Sequence, residues 1–134
     1  MSLDFDSARL PNRDLTEEHH AWRTQLRRFI DDEVMPHAAE WDEAGDIPAW
    51  LWTRAAALGL LGLGYPKRSG GVSDGIDIWF HNIVNEELAR LGVGGVAATP
   101  MVHNIGLPPV VHFAPEIGRA SRRERMSVSV VYVS

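Results

Sequence analysis

The chain has 134 residues, 45% of them apolar and 23% charged, with a net charge of −5. That is the size of one domain, and the balance excludes a chain disordered throughout and argues against nucleic acid as a partner. There is no cysteine, hence no disulfide framework, thiolate metal site or cysteine nucleophile, and a reducing, cytoplasmic setting fits.

Residues 1–14 read as an N-terminal extension, and their acidic start lacks the basic region and apolar core of a secretory signal. The longest apolar run, from Ala55 to Tyr65, falls short of the ~18 residues that a membrane helix needs, so no membrane partner is expected. The first predicted helix spans Thr16 to Val34. Trp22, Leu26, Phe29, Ile30 and Val34 recur at helical spacing and make one apolar stripe. Thr16 or Asp14 caps it, and Glu17 and Glu18 stand in the first turn where the helix dipole favours acids. Arg27 with Asp31, and Arg28 with Asp32, are opposite charges four apart on the outer face. Pro36 ends or kinks this helix.

A short second helix is predicted from His37 to Ala44, stopped by Gly45, and a third from Pro48 to Leu58, closed by Gly59. The stretch Gly59 to Gly71 holds Gly-Xaa-Gly spacing. A dinucleotide fingerprint must follow a strand and open a helix, whereas these glycines follow a helix, and no Gly-Lys-Ser/Thr is present. The segment reads as a tight apolar turn passing under the core.

The fourth predicted helix runs from Asp74 to Leu91, with Ile76, Phe80, Ile83, Val84, Leu88 and Leu91 as its stripe and Gly92 at its end. Glu87 stands at the edge of that stripe. A carboxylate buried there needs a partner, or its pKa rises; a structural role is the ordinary one for such a residue. Gly94 to Phe113 is small and apolar, divided by Pro100 and Pro108-Pro109 into two short helices. Small residues suit close helix packing, or a slot that takes an apolar chain.

Residues 1–114 carry 9 Lys+Arg and 16 Asp+Glu, a balance of −7, while 115–134 carry 4 Arg and 2 Glu, a balance of +2. The composition changes at Glu116, where Glu116-Ile-Gly-Arg-Ala-Ser-Arg-Arg-Glu-Arg125 resembles the translation of an adapter oligonucleotide. Residues 116–134 are expected to be foreign to the domain, artefactual or disordered. Of the six histidines none makes a His-Glu-Xaa-Xaa-His motif. Glu17 and His20 form one Glu-Xaa-Xaa-His pair, where a di-iron bundle needs two pairs and two further glutamates, so no metal is expected. No Ser/His/Asp arrangement emerges, and the residues by themselves describe a soluble all-α domain.

The segments Leu15-Thr-Glu-Glu-His19, Glu33-Val-Met-Pro-His37, Trp41-Asp-Glu-Ala-Gly45, Ala57-Leu-Gly-Leu-Leu-Gly-Leu-Gly-Tyr-Pro66, Glu86-Glu-Leu-Ala-Arg90, Gly94-Gly95 and Gly106-Leu-Pro-Pro109 add a resemblance. Each is weak alone; their order and spacing resemble the N-terminal helical domain of the acyl-CoA dehydrogenase family over residues 15–115. The resemblance implies an all-α fold of short antiparallel helices, followed in the family by a β domain and a helix bundle. It implies FAD, acyl-CoA substrates oxidised to the α,β-enoyl thioester, and a homo-oligomeric full-length enzyme. It makes Ala97, Ala98, Met101 and Ile105, with Asn104, the candidates for the acyl-chain cavity wall. The family's base and flavin contacts lie beyond the matching segment, and neither Glu86 nor Glu87 corresponds to that base. The chain is therefore expected to hold no catalytic residue and no FAD and to be inactive alone. The alternatives are a stand-alone helical interaction module, or part of a related acyl-CoA oxidase or flavin monooxygenase.

Overall fold

The computed structural model describes residues 11–99, 108, 109 and 111. Four α-helices make the frame: α1 (Glu17–Phe29), α2 (Ala38–Ala44), α3 (Ala49–Leu58) and α4 (Ile78–Ala89). Residues 94–99 are also helical. The all-α class is as expected from the sequence.

α1 starts where its cap dictates. Thr16 is extended, its hydroxyl accepts from the His19 backbone N–H, and the His19 ring accepts in return from the Thr16 N–H, a reciprocal capping box. The predicted continuation to Val34 exists but changes pitch. Ile30–Val34 form a π-turn in which the Met35 N–H donates to the Ile30 carbonyl at 2.8 Å. The wider turn lies directly before Pro36, which cannot donate to the helix ladder. It also defeats the two expected charge pairs. Arg27 reaches Glu87 and Asp31 reaches Arg90, because side chains four apart no longer stack where the turn widens. Arg28 and Asp32 form no ion pair among the described residues.

α2 and α3 fall within a residue of their predicted bounds, stopped by Gly45 and Gly59 at φ 68° and 90°. α4 begins four residues later than the sequence reading placed it. Gly75 has φ 71°, outside the helical region, and the Asp77 side chain accepts from the Trp79 N–H and so sets the N-cap.

One apolar cluster joins the elements: Leu26 and Ile30 of the first helical run, Leu51 and Ala55 of α3, and Ile83, Val84 and Leu88 of α4 are all buried. The glycine-rich segment does pass under it, with Leu60, Leu63 and Tyr65 buried. Contacts along α1 and α4 advance together, from His19 with Asp77, through Arg27 with Glu87, to Asp31 with Arg90. This pair therefore runs parallel rather than antiparallel, as two neighbours must when other elements carry the chain back between them.

Gly71 is the tightest point. A Cβ there would lie 2.2 Å from the Tyr65 carbonyl oxygen, backbone that cannot swing aside. Gly94, which opens the helical stretch, has nothing within 4 Å. Gly71→Ala is expected to cost about 2 kcal/mol or more through forced backbone movement, and Gly94→Ala to be neutral or stabilising by ~0.5 kcal/mol. Thermal melts of the two variants, compared with the parent chain, check this.

Candidate functional site

The five sequence-predicted cavity residues fall in and after the helical stretch 94–99. Its start is fixed from a distance, by Asp42 Oδ1 of α2 accepting from the Gly95 N–H at 3.2 Å. Val96 turns inward and is 3% exposed. Ala97 packs half-buried against the core cluster, and Ala98 is exposed. Met101, Asn104 and Ile105 lie outside the described residues. The structure thus shows two of the five, one on the inner flank of the helix and one on its open side.

The glycine-rich segment makes no phosphate cradle. Its amides are spent on itself: Gly64 N–H donates to the Val72 carbonyl at 2.8 Å, Val72 N–H to Gly62 at 2.9 Å, Gly71 N–H to Pro66 at 3.2 Å and Gly70 N–H to Lys67 at 2.9 Å. Tyr65 crowds Gly71 and the His81 ring crowds Gly64. A pyrophosphate needs free N–H groups converging on an open space, and the glycine amides of this loop are already bonded.

The densest polar chemistry is elsewhere and was only half legible in the sequence. Glu87 is 0% exposed. Its Oε1 accepts from Arg23 Nη1 at 3.1 Å and Arg27 Nη2 at 2.8 Å; its Oε2 accepts from Arg27 Nε at 3.0 Å and Arg90 Nη1 at 3.0 Å. Four guanidinium bonds match the four lone-pair positions of a carboxylate. The outer ends of two arginines are held in turn. Arg23 Nη1 also meets Glu86 at 2.6 Å, and Arg90 Nη2 lies 3.1 Å from Asp31 Oδ1, close enough to attract though without hydrogen-bond geometry at that oxygen. The position of Glu87 on its helix announced the burial. Arg90 stands three residues from Glu87, within local reach, whereas Arg23 and Arg27 come from α1, some sixty residues away, and no local spacing rule could select those two.

A second junction ties the helix starts. His19 is 3% exposed, and its ring lies 4.4 Å from that of Phe80. Nδ1 accepts from the Thr16 N–H at 2.9 Å, which leaves the proton on Nε2 to donate to Asp77 Oδ1 at 3.0 Å. Loss of hydration pushes the Asp77 carboxyl up, but the bonds from His19 and from the Trp79 backbone N–H outweigh it and hold the carboxyl below its usual range. Glu17 and His20, the Glu-Xaa-Xaa-His pair, are both exposed. No group of three His, Asp or Glu gathers in metal-binding geometry among the described residues.

Two outcomes follow from these junctions. Glu87→Gln keeps the shape but removes the charge that three arginines face; a loss of about 3 kcal/mol is expected, read from the urea midpoint. A carboxyl with a depressed folded-state pKa stabilises the fold above its unfolded pKa, and that contribution disappears as pH falls through the depressed value. The melting-temperature gap between the parent chain and Asp77→Asn should therefore be present at pH 7 and close in strong acid. A gap that stays constant down to pH 2.5 would show that the Asp77 charge is irrelevant.

Comparison with known proteins places this arrangement. The family described as acyl-CoA dehydrogenase, N-terminal domain, matches residues 16–121. The mitochondrial long-chain specific acyl-CoA dehydrogenase of Sus scrofa is 34% identical over 110 residues, which cover 76% of this chain and 25% of that protein. The Mus musculus enzyme of the same name is 37% identical over 57 residues, 42% of this chain and 13% of that protein. The chain thus spans about a quarter or less of the length of these relatives. No solved structure matches it significantly. The chain belongs to the acyl-CoA dehydrogenase family, whose N-terminal domain it carries.

Proposed function

We propose that this chain is the N-terminal part of a longer, FAD-dependent acyl-CoA dehydrogenase, a homo-oligomer that oxidises acyl-CoA thioesters to the α,β-enoyl product. The family match over residues 16–121 carries the reading. Within it, Ala97, Ala98, Met101 and Ile105, with Asn104, wall part of the acyl-chain cavity. Two observations support that role. Ala98 is exposed, on a helix anchored to α2 through Asp42 and Gly95, so a neighbouring part of the longer enzyme has room to close over it. Small apolar side chains there suit an alkyl chain.

FAD supplies the hydride-accepting chemistry in the whole enzyme. The glycine amides of the 59–71 segment are already bonded, which supports a flavin site and a catalytic base outside the chain. The chain by itself is then inactive. The cytoplasmic setting is part of this proposal, which the absence of cysteine permits; the named relatives are mitochondrial.

The test has two arms. The purified chain, mixed with FAD and passed through gel filtration, should emerge colourless and reduce no electron acceptor when given acyl-CoA; a yellow, active preparation would overturn the assignment. In the full-length enzyme, Ala98→Leu should lower kcat/KM for long acyl chains roughly tenfold and spare short ones. Equal loss for all lengths would remove Ala98 from the cavity wall. Oxygen consumption in place of acceptor reduction would favour the oxidase or monooxygenase reading.

A further inference from the structure

We propose that the seam between α1 and α4 is a carboxylate receptor whose ligand is supplied by the chain itself, as Glu87. Three guanidiniums converge on one point from two helices, and each remains charged at any ordinary pH. They present four N–H groups at 2.8–3.1 Å to the two oxygens of a single carboxylate. Arg27 grips both oxygens at once, through Nε and Nη2, the fork geometry that distinguishes a carboxylate from a spherical anion.

The receptor does not depend on its ligand for its shape. Arg23 is held by Glu86 at 2.6 Å and Arg90 by Asp31 at 3.1 Å, and each of these two arginines is only 12% exposed. Removing the Glu87 carboxylate therefore leaves Arg23 and Arg90 held by their second carboxylates and facing the vacated space. Glu87→Ala removes a fragment the size of acetate. Arg27, at 28% exposure, gives a small anion a way in. Acetate or formate then rebuilds the same four bonds, whereas chloride cannot take the fork.

The experiment follows the melting temperature of the 134-residue chain and its Glu87→Ala and Glu87→Gln variants in acetate, formate and chloride at one ionic strength. Acetate should raise the Glu87→Ala melting temperature by on the order of 5 °C once it stands about ten-fold above its Kd. It should leave the parent chain and Glu87→Gln, whose slots are filled, where chloride leaves them. Adding Arg27→Met to Glu87→Ala should abolish the gain. The proposal is overturned if chloride serves as well as acetate, if acetate lifts the parent chain equally, or if Glu87→Ala stays unfolded in acetate.

Discussion

A carboxylate with no access to water must find its counter-charge inside the protein, and Glu87 imposes that demand on both helices it touches. α1 meets it by turning Arg23 and Arg27 onto one line, and α4 by adding Arg90 one turn further on. Sliding α1 by a turn would put His19 or Asp31 in the place of one of the two arginines and leave the buried charge short of a partner, at a cost of several kcal/mol. The network therefore fixes register, while the apolar cluster around Leu26, Ile30, Ile83 and Val84 supplies the driving force for contact.

Parallel helices set like ends of their dipoles side by side, and the same residues relieve that conflict. Glu17, Glu18 and Asp77 stand at the paired N-terminal ends, and Arg27, Arg28 and Arg90 at the C-terminal ends. His19 closes one end by serving as the third residue of the α1 capping box while bonding the N-cap of α4. The seam is thus clamped at its start and its middle. The helical stretch 94–99 has a separate tie, Asp42 to Gly95, and leaves Ala98 exposed.

The helices were legible because their signals are local: Thr16 as a cap, Gly45 and Gly59 as stops, a stripe of apolar residues in α1. The errors have local causes too. The positive φ of Gly75 and the cap at Asp77 start α4 later than its apolar stripe suggests, and the widened turn before Pro36 separates Arg27 from Asp31 although their spacing is helical. What lay beyond reach was long-range. Nothing in the spacing of Arg23 and Arg27 names a carboxylate on a helix sixty residues later, and nothing in Thr-Xaa-Xaa-His announces Asp77. Ala97 and Ala98 stand out by family resemblance alone; in the fold Ala97 packs against the core and Ala98 is exposed.

The distance between the seam's two halves has a consequence for synthesis. The arginines of α1 leave the ribosome about sixty residues before Glu87, a delay of roughly 3–12 s at ordinary elongation rates. Through that interval Trp22, Leu26 and Phe29 have no α4 to cover them, and Arg23 and Arg27 have no buried carboxylate to bind. The nascent helix for those seconds shows its apolar face to solvent, and it ceases to do so when residues 77–90 emerge.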